Sequence, residues 1–350
     1  MEKYLREMIT ADCHDVVGSS SDALNKLRNR VVYVTGGTGF IGTWIAELVS
    51  YLNDTHNFGT QLYLLARDTN AFQDKVPHLA ERADIHLIRS DVRNIIDLPV
   101  DVNYIIHAAA TPDNRQHMSN PLAVMETITK GTAMMLDAAT TLPNLFNILN
   151  ISSGQIYGQQ SRDIGTVTED VAGILSCNSI TSVYPEAKRY AETLCSAYWS
   201  TFKLPIVTAR PFAFIGPYQS LDKPWAINNF IRDALTGNTI RIISNGMPVR
   251  SYMYPSDMAY WLLRMLVDGK SGMAYNLGSP YGITLRDVAE KVKRCANSTS
   301  EIVIKEMHQD DSVFVPDTSL VSSTLRLEIK VPIDKAVERS IRWFQGMVPS

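Results

Sequence analysis

The run TGGTGFIG at residues 35–42 directly follows a short apolar strand, VVYVT (31–35), and precedes a predicted helix. Its glycines Gly36, Gly39 and Gly42 have the spacing G-x-x-G-x-x-G. Glycine allows a tight turn, close approach of backbone N–H groups to a pyrophosphate, and close packing of the next helix, whose N-terminus is partly positive. A glycine-rich turn can also be purely structural, but a strand before it and a helix after it favour dinucleotide binding.

Short apolar strands alternate with longer helices over the first two thirds of the chain. We predict strands VVYVT (31–35), QLYLLA (61–66), DIHLI (84–88), VNYIIHA (102–108), LFNILNIS (145–152) and PIVTAR (205–210), and helices at 40–52, 121–140 and 184–202. Strands that are apolar along their whole length and alternate with helices are typical of a parallel sheet covered on both faces. The predicted fold class is therefore α/β, with a doubly wound parallel sheet.

The pattern changes beyond ARPFAFIGPY (209–218), where Pro and Gly become more frequent. We predict a helix near 225–236, short strands near 240–243 and 250–254, and helices near 256–269 and 284–296. The expected organisation is an N-terminal extension (1–30) with one or two short helices separated by VGSSSD, a dinucleotide-binding domain (31–210), and a mainly substrate-binding part (211–350). The chain is allowed to cross between the last two.

Composition excludes several classes of protein. The 350 residues include 33 basic and 36 acidic side chains, and the pI near 6.2 gives no basic surface for nucleic acid or an anionic membrane. The four cysteines contain no C-x-x-C pair, so neither a disulfide framework nor a metal site is indicated. No signal peptide and no long apolar span is recognised. We expect a cytoplasmic protein with small-molecule partners.

The end of the second predicted strand bears on which dinucleotide binds. An NAD site usually places Asp or Glu there for the ribose 2′-OH, whereas this chain has Ala66 followed by Arg67. A guanidinium can bind a 2′-phosphate, so NADP(H) is favoured over NAD(H). The alternative is a surface arginine paired with Asp68. In SDV (90–92), Asp91 could contact the adenine amino group, or could be a plain loop residue.

A tyrosine and a lysine stand four residues apart in YPEAK, at Tyr184 and Lys188. Residues i and i+4 share one helix face, so the ammonium can favour phenolate and lower a phenol pKa from ~10 toward neutral pH. That pair would suit a proton donor with a group that tunes it. Taken alone, Y-x-x-x-K is as well explained by an aromatic at a helix start and a solvated charge.

In combination these motifs resemble a known superfamily. TGGTGFIG, SDV, HAAA (107–110), ISSGQIYG (151–158), YPEAK, RPFAFIGPY, PVRSYMYPSDMA (248–259) and YNLGS (275–279) occur in the order and spacing of the extended short-chain dehydrogenase/reductases. The likeness is to the nucleotide-sugar epimerase/dehydratase branch and covers about residues 31–345. It implies a Rossmann domain, an enzyme, and a nucleotide-diphosphate sugar as substrate.

The resemblance also implies roles for single residues. Ser153, Tyr184 and Lys188 match the catalytic set, in which Lys188 also holds the nicotinamide ribose and Ser153 contacts the reacting sugar oxygen. Arg250 matches an arginine that binds the substrate diphosphate. The implied cofactor-binding set is Gly36, Gly39, Phe40, Ile41, Gly42, Arg67, Asp91, Val92, Ala108, Ala109, Tyr184 and Lys188.

The same resemblance implies a homodimer. In relatives, the helices that correspond to 121–140 and 184–202 pair across the dimer. Leu194, Ala197 and Tyr198 would suit such an interface, and they would equally suit packing on the sheet.

Two departures from the family pattern restrict the chemistry. Dehydratases and decarboxylases of this branch carry an acid just after the catalytic Ser or Thr, whereas Gly154 and Gln155 stand here. Neither can act as acid or base in a β-elimination, so a 4,6-dehydratase is disfavoured. Ala213 replaces the asparagine of RPFN, so we expect the phosphate contacts to be partly rebuilt by Asn228 or Asn229.

The favoured function is NADPH-dependent reduction at sugar C4, because Arg67 favours NADP(H). The helix YPEAKRYAETLC and the run that begins FAFIGPY also resemble bacterial surface-polysaccharide enzymes, which implies a nucleotide-linked 4-keto-6-deoxy sugar as substrate. The alternative is a 4-epimerase with tightly bound NAD. A non-catalytic dinucleotide sensor is disfavoured by the intact Ser153, Tyr184 and Lys188. His107 ends an apolar strand and is expected to be a buried, satisfied imidazole; His78, His86 and His117 lack metal-ligand spacing.

Overall fold

A computed structural model describes residues 3–18, 21–158, 160, 165–305 and 310–347. Its strands are β1 (Val31–Thr35), β2 (Gln61–Ala66), β3 (Ile85–Arg89), β4 (Tyr104–His107), β5 (Asn147–Ile151), β6 (Ile206–Pro211), β7 (Ala213–Phe214), β8 (Ile240–Ile242), β9 (Val249–Arg250), β10 (Tyr252–Met253), β11 (Ala274–Leu277), β12 (Ile283–Thr284), β13 (Ile302–Ile304) and β14 (Val313–Phe314).

The helices are α1 (Lys3–Val17), α2 (Phe40–His56), α3 (Asn70–Lys75), α4 (Pro77–Ala80), α5 (Asn114–Ser119), α6 (Pro121–Ala139), α7 (Val183–Phe202), α8 (Ala226–Thr236), α9 (Pro255–Asp268), α10 (Leu285–Cys295), α11 (Ser319–Leu325) and α12 (Ile333–Gly346). Short 3₁₀ turns at Ser21–Leu27, Val92–Asn94, Gly154–Tyr157 and Ile180–Ser182 join them. In the described ranges no helix is long and apolar enough to cross a membrane.

Seven strands form a central parallel sheet in the order β11-β6-β5-β4-β1-β2-β3. Alternate residues of each strand enter different cores, as the pleat of a strand requires. In β1, Val32 and Val34 pack with α2 and α9, whereas Tyr33 packs on the opposite face with α6 and α7. The predicted doubly wound α/β fold is therefore confirmed. The order of the strands reverses at β1, which pairs with β2 on one side and β4 on the other.

Two predicted strands, 31–35 and 61–66, match the structure at both ends, and the ends of the other four shift by one or two residues. The main difference is β11, which comes from the YNLGS motif and pairs with β6 as the seventh strand. Its four residues are too few to show the alternating pattern of a strand. The chain thus returns to the central sheet from the part after residue 211, the kind of crossing that the predicted domain boundaries left room for.

The remaining strands form three small sheets, and all three come from the second half of the chain. Their orders are β10-β7, β12-β9-β14 and β13-β8. The pairing of β9 with β12 and β14 holds Arg250 beside residues 283 and 314. Two of these sheets, β10-β7 and β12-β9-β14, contribute to one wall of the cavity described below.

The N-terminal extension begins with one long helix rather than short ones. Helix α1 buries Leu5, Ile9, Cys13 and Val16 against the core that contains α2 and α9. Residues 19 and 20 of VGSSSD lie outside the described residues, and a 3₁₀ turn follows at 21–27. The extension is thus an integral part of this core.

An ionic cluster fixes α1 to the end of the chain. The carboxylate of Asp12, 3% exposed, accepts from the Tyr254 hydroxyl at 2.6 Å and from Arg339 at 2.6 Å. Burial raises the pKa of Asp12 to about 6, although both hydrogen bonds oppose the rise. A raised acid pKa means that the native protein holds this proton at a pH at which the unfolded chain has released it.

We predict that Asp12→Asn flattens the pH dependence of stability between about pH 4 and pH 6. The contribution of the neutral carboxyl is fully present below the unfolded pKa, near 4, and is lost as the pH rises through the native value of about 6. In the parent, the free energy of unfolding should therefore fall as the pH rises through that window, because Asp12 loses its proton. Urea denaturation as a function of pH measures the difference between the two proteins.

Asp15→Asn is the matched control, because Asp15 is the exposed second partner of Arg339. It should keep the pH dependence that Asp12 causes. Burial also raises the pKa of Asp257 to about 6, but that residue is present in all three proteins and cancels. Parallel profiles for the parent and Asp12→Asn would contradict the prediction.

Candidate active site

The glycine turn between β1 and α2 brings the backbone to the carboxyl edge of the sheet. Gly36 has φ +66°, and a Cβ there would lie 2.8 Å from the Ala108 carbonyl oxygen. A Cβ on Gly42 would lie 2.2 Å from the Gly37 carbonyl oxygen. Only glycine therefore allows both the turn and the packing of α2. Gly39 caps α2 without a side-chain hydrogen bond, which leaves the first N–H groups of the helix for a ligand.

A buried histidine supports the loop opposite this turn. Thr132 donates to the Ile128 carbonyl at 2.6 Å, so it accepts from His107 Nε2 at 3.0 Å. His107 Nδ1 then accepts from the Thr35 hydroxyl at 2.9 Å. The Thr35 oxygen in turn accepts from the backbone N–H of Ala109 at 3.3 Å. Burial lowers the pKa of His107 to about 3, and the imidazole is the satisfied, neutral group that we expected.

Charged residues gather where the adenosine end of a dinucleotide would lie. Arg67 and Asp68 are both exposed and both line the cavity. Asp91 accepts two hydrogen bonds from Arg93, at 3.0 and 2.8 Å, and this arginine lowers the pKa of Asp91 to about 2. Arg67 lowers it further by its charge. The structure thus places Arg67 near Asp91 and puts a carboxylate, Asp68, beside it.

The turn after β5 holds the serine. Ser153 Oγ accepts from the Gln155 backbone N–H at 3.1 Å, so its own proton is free to be donated. Its side chain bonds to the Tyr184 phenol, and this bond lowers the pKa of Tyr184. Ser153 is 7% and Tyr184 5% exposed. The two side chains that were expected to take part in proton transfer are therefore in contact and almost shielded from solvent.

The lysine lies near the tyrosine ring, but its ammonium bonds to the backbone of β5. Lys188 Nζ donates to the Ile151 carbonyl at 2.6 Å and lies 5.9 Å from the centroid of the Tyr184 ring. Burial raises the pKa of Tyr184 to about 12 and lowers that of Lys188 to about 8. The expectation of a depressed phenol pKa is not met, because loss of solvation outweighs the hydrogen bond with Ser153. Tyr184 is a protonated phenol at neutral pH.

A second cation faces the cavity from β9. Arg250 donates to the Ser312 carbonyl and hydroxyl at 3.1 and 2.9 Å, and it lies 4.0 Å from the Asp310 carboxylate. Burial lowers the pKa of Arg250. A desolvated guanidinium that faces a cavity favours an anion.

All these groups surround one cavity of about 970 Å³. The predicted residues that line it are Gly36, Gly39, Phe40, Ile41, Arg67, Asp91, Val92, Ala108, Ala109, Ser153, Tyr184, Lys188 and Arg250. Gly42 lies behind the turn, where it serves packing. Asn228 and Asn229 are not in the lining: the Asn228 amide is 1% exposed and donates to the Ser220 carbonyl at 2.9 Å.

An aromatic wall stands beside the serine. The rings of Phe212 and Phe314 pack at 4.5 Å between centroids, and both line the cavity. A Cβ on Gly154 would lie 3.0 Å from both rings. An acidic side chain at that position would need these rings to move. Gln155, the next residue, lines the cavity with a neutral amide.

Sequence reasoning missed three contributors to this site, two of which line the cavity. Phe314 and Trp225 line it from β14 and from the N-terminus of α8. His117 packs flat against the Tyr184 ring. No local pattern marks any of them, since each reaches the site through tertiary packing.

The described residues fit a nicotinamide dinucleotide. The glycine turn leaves a cradle that a Cβ would fill, α2 offers free N–H groups, and the volume suits a molecule of that size. Gly36, Gly39, Phe40 and Ile41 would hold the pyrophosphate, and Lys188 would hold the ribose next to the ring. Bound there, the cofactor supplies or accepts a hydride. No group of three or more potential metal ligands occurs in the described part of the chain.

Comparisons with known proteins agree with this geometry. The model of the NAD dependent epimerase/dehydratase family matches residues 32–278. The chain is similar to UDP-glucuronic acid decarboxylase 6 of Arabidopsis thaliana, with 30% identity over 306 residues, which cover 87% of this chain and 86% of that protein.

Two solved structures show the same fold. UDP-glucuronic acid 4-epimerase from Bacillus cereus, in complex with UDP-glucuronic acid and NAD, gives a TM-score of 0.77 at 21% identity, covering 91% of this chain and 100% of that one. The Bordetella bronchiseptica enzyme WbmF, in complex with NAD+, gives 0.74 at 20% identity, covering 92% and 94%. With the family match, the glycine turn and the Ser153, Tyr184 and Lys188 cluster, this chain belongs to the NAD dependent epimerase/dehydratase family of nucleotide-sugar enzymes.

Proposed function

We propose that this enzyme reduces the C4 ketone of a nucleoside-diphosphate 4-keto-6-deoxy sugar, with NADPH as co-substrate. The observation that carries the proposal is a buried, protonated Tyr184 in contact with Ser153, without an acid at positions 154 and 155. This arrangement can give a proton to a carbonyl oxygen. It lacks the acid that relatives use for loss of water or of CO₂.

The residues of this chain divide the proton chemistry among them. Ser153 donates a hydrogen bond to the substrate oxygen, and Tyr184 gives that oxygen its proton as C4 becomes a carbinol. Lys188 keeps its charge below its pKa of about 8, so at neutral pH it stabilises the phenolate that is left. The low exposure of all three groups excludes water and strengthens these interactions.

Arg250 is assigned to the diphosphate. It is the only cation on the substrate side among the described residues that line the cavity, since Lys188 lies by the tyrosine and Arg67 at the adenosine end. Ala213 lines the same cavity and offers no amide, so Arg250 would provide most of the charge complementarity. The predicted contacts of Asn228 and Asn229 would need α8 to turn.

The aromatic wall supports a 6-deoxy sugar. Gly154, Phe212 and Phe314 offer a methyl group an apolar surface close to Ser153. The carboxylate of a uronic acid would need a cation or several donors at this place, and the lining residues there supply only the Gln155 amide. The similar decarboxylases are named for UDP-glucuronic acid, and this wall is where we expect the present enzyme to differ from them.

A 4-epimerase that keeps NAD bound is the second candidate. It is favoured by Asp68, which lines the cavity beside Arg67 and could bind a ribose 2′-OH in place of a 2′-phosphate. Structures similar to this chain contain NAD. The choice between the two functions thus depends on which of these neighbouring side chains meets the ribose.

We also propose a homodimer formed by α6 and α7. Tyr190, Trp199 and Phe202 are exposed apolar side chains on α7. Leu194 and Tyr198 pack instead within this chain, and the Tyr198 hydroxyl bonds to Asp137 of α6. An interface would therefore use the outer face of α7.

The four free cysteines support the predicted cytoplasmic location.

Tyr184→Phe should lower kcat for reduction of an accepted 4-keto nucleotide sugar by on the order of 10²–10⁴-fold, because the general acid is removed. Binding of NADPH, measured by fluorescence titration, should change little. Tyr190→Phe removes an exposed hydroxyl from the same helix and serves as the control. Turnover of Tyr184→Phe near that of the parent would refute the role of Tyr184.

Incubation with UDP-glucuronic acid, dTDP-glucose, CDP-glucose or GDP-mannose should yield no decarboxylated and no 4-keto-6-deoxy product. The reason is that Gln155 can neither add nor remove a proton in an elimination. Mass spectrometry of the sugar nucleotides detects either product. Loss of water or of CO₂ by the parent protein would overturn the argument from Gly154 and Gln155.

Arg67→Ala should weaken NADPH binding relative to NADH by ~1–3 kcal/mol, the magnitude of a lost set of charge-assisted contacts. Asp68→Asn tests the neighbouring carboxylate and should leave NADPH binding unchanged or stronger. Isothermal titration with both cofactors gives the four affinities. Equal binding of NADH and NADPH by the parent, with a loss of NADH binding in Asp68→Asn, would favour the epimerase instead.

A further inference from the structure

A histidine outside the recognised catalytic set lies flat against the catalytic tyrosine. The rings of His117 and Tyr184 are 4.5 Å apart between centroids and only 9° from parallel. His117 is 5% exposed and lies in α5, in the segment between the loop after β4 and helix α6. Stacking of this kind restricts both tilting and rotation of the phenol.

The imidazole is itself anchored. Its Nε2 lies 2.7 Å from the Thr111 carbonyl oxygen, which can only accept, so Nε2 carries the proton. Thr111 lines the cavity in the loop that also contains Ala108 and Ala109. His117 therefore connects the loop on the cofactor side of the cavity to the ring of Tyr184.

The short helix that carries His117 is fixed at its start. Asp113, 2% exposed, caps α5 by accepting from the Arg115 N–H at 3.0 Å, and it also accepts from Lys223 at 3.0 Å. Lys223 comes from the loop before α8, on the substrate side. Helix α5 is thus held from both sides of the cavity, and its imidazole has little freedom to leave the tyrosine.

From this geometry we infer that His117 is a positioning residue: its stacked imidazole, anchored on the Thr111 carbonyl, holds the Tyr184 hydroxyl in line with Ser153 and with the reacting oxygen. The inference rests on the proposed function, since it concerns the same proton transfer. The place of Tyr184 on its helix fixes where the side chain leaves the backbone. The stack with His117 fixes the direction of the phenol oxygen. A displacement of about 1 Å in such a group can cost on the order of 100-fold in rate.

Three substitutions separate the stack from the anchor. His117→Ala removes both, His117→Phe keeps a flat ring without the N–H, and His117→Gln keeps a donor without the ring. We expect kcat to fall on the order of 10- to 100-fold in the Ala and Gln variants, with KM for the sugar nearly unchanged. The Phe variant should recover most of the loss. A parent-like kcat in His117→Ala, or rescue by Gln and not by Phe, would overturn the inference.

The chain provides a matched control in a second histidine–tyrosine pair. His86 and Tyr63 meet edge to face at 4.9 Å and 82°, and neither lines the cavity. His86→Ala should leave kcat and KM as they are in the parent. An equal loss in His86→Ala and His117→Ala would assign the effect to general destabilisation and would refute positioning.

A measurement without any sugar separates this inference from the proposed function. Protein labelled with 3-fluorotyrosine gives a fluorine resonance for residue 184 that Tyr184→Phe identifies by its disappearance. The ring current of the stacked imidazole should displace this resonance; His117→Ala and His117→Gln should remove the displacement, and His117→Phe should retain one. A resonance that is the same in the parent and His117→Ala would overturn the stack, whether or not the enzyme reduces 4-keto sugars.

Discussion

One largely buried cation joins the parts of the chain that form the site. Arg210, at the end of β6, donates to Glu192 of α7 at 2.7 Å and to the Tyr157 hydroxyl at 2.8 Å. The Tyr157 hydroxyl donates in turn to Asn276 of β11 at 2.7 Å. The guanidinium thus connects the turn that begins at Ser153, the helix that carries the tyrosine and lysine, and the last strand of the sheet. Since both charges are mostly out of water, removing one of them would leave an unpaired charge at a cost of about 3–5 kcal/mol.

Much of this fold could be predicted from local patterns, for identifiable reasons. Arg30 precedes strand β1 and the glycine turn follows it, and Arg67 directly follows β2. The ends of both strands are therefore marked in the sequence. The glycine turn directly follows β1 and Ser153 follows β5, and the carboxyl edge of a parallel sheet brings such strand ends together. Strand β11 was missed because four residues in a region rich in Gly and Pro carry little periodic signal.

What the sequence could not provide is the balance of solvation and charge in three dimensions. A spacing of four residues indicated an ammonium beside a phenol, and it predicted a lowered pKa. In the folded chain, Lys188 bonds to the Ile151 carbonyl, and burial raises the pKa of Tyr184. Likewise, no sequence pattern connects His117 to Tyr184, which lies 67 residues further along the chain. Burial and ring contacts of this kind depend on packing between elements that are far apart in the chain.

The position of β11 has a consequence for how the protein is made. Strands β1 to β6 are complete by residue 211, but the strand that covers β6 is not synthesised until residues 274–277. A nascent chain, or a fragment that ends near residue 211, would present the open edge of β6, and open strand edges pair readily with other chains. Pairing across such a separation also slows folding. Until then, Tyr157, the partner of Arg210, would also lack its hydrogen bond to Asn276. The sheet and the site should therefore reach their final structure together, late in translation.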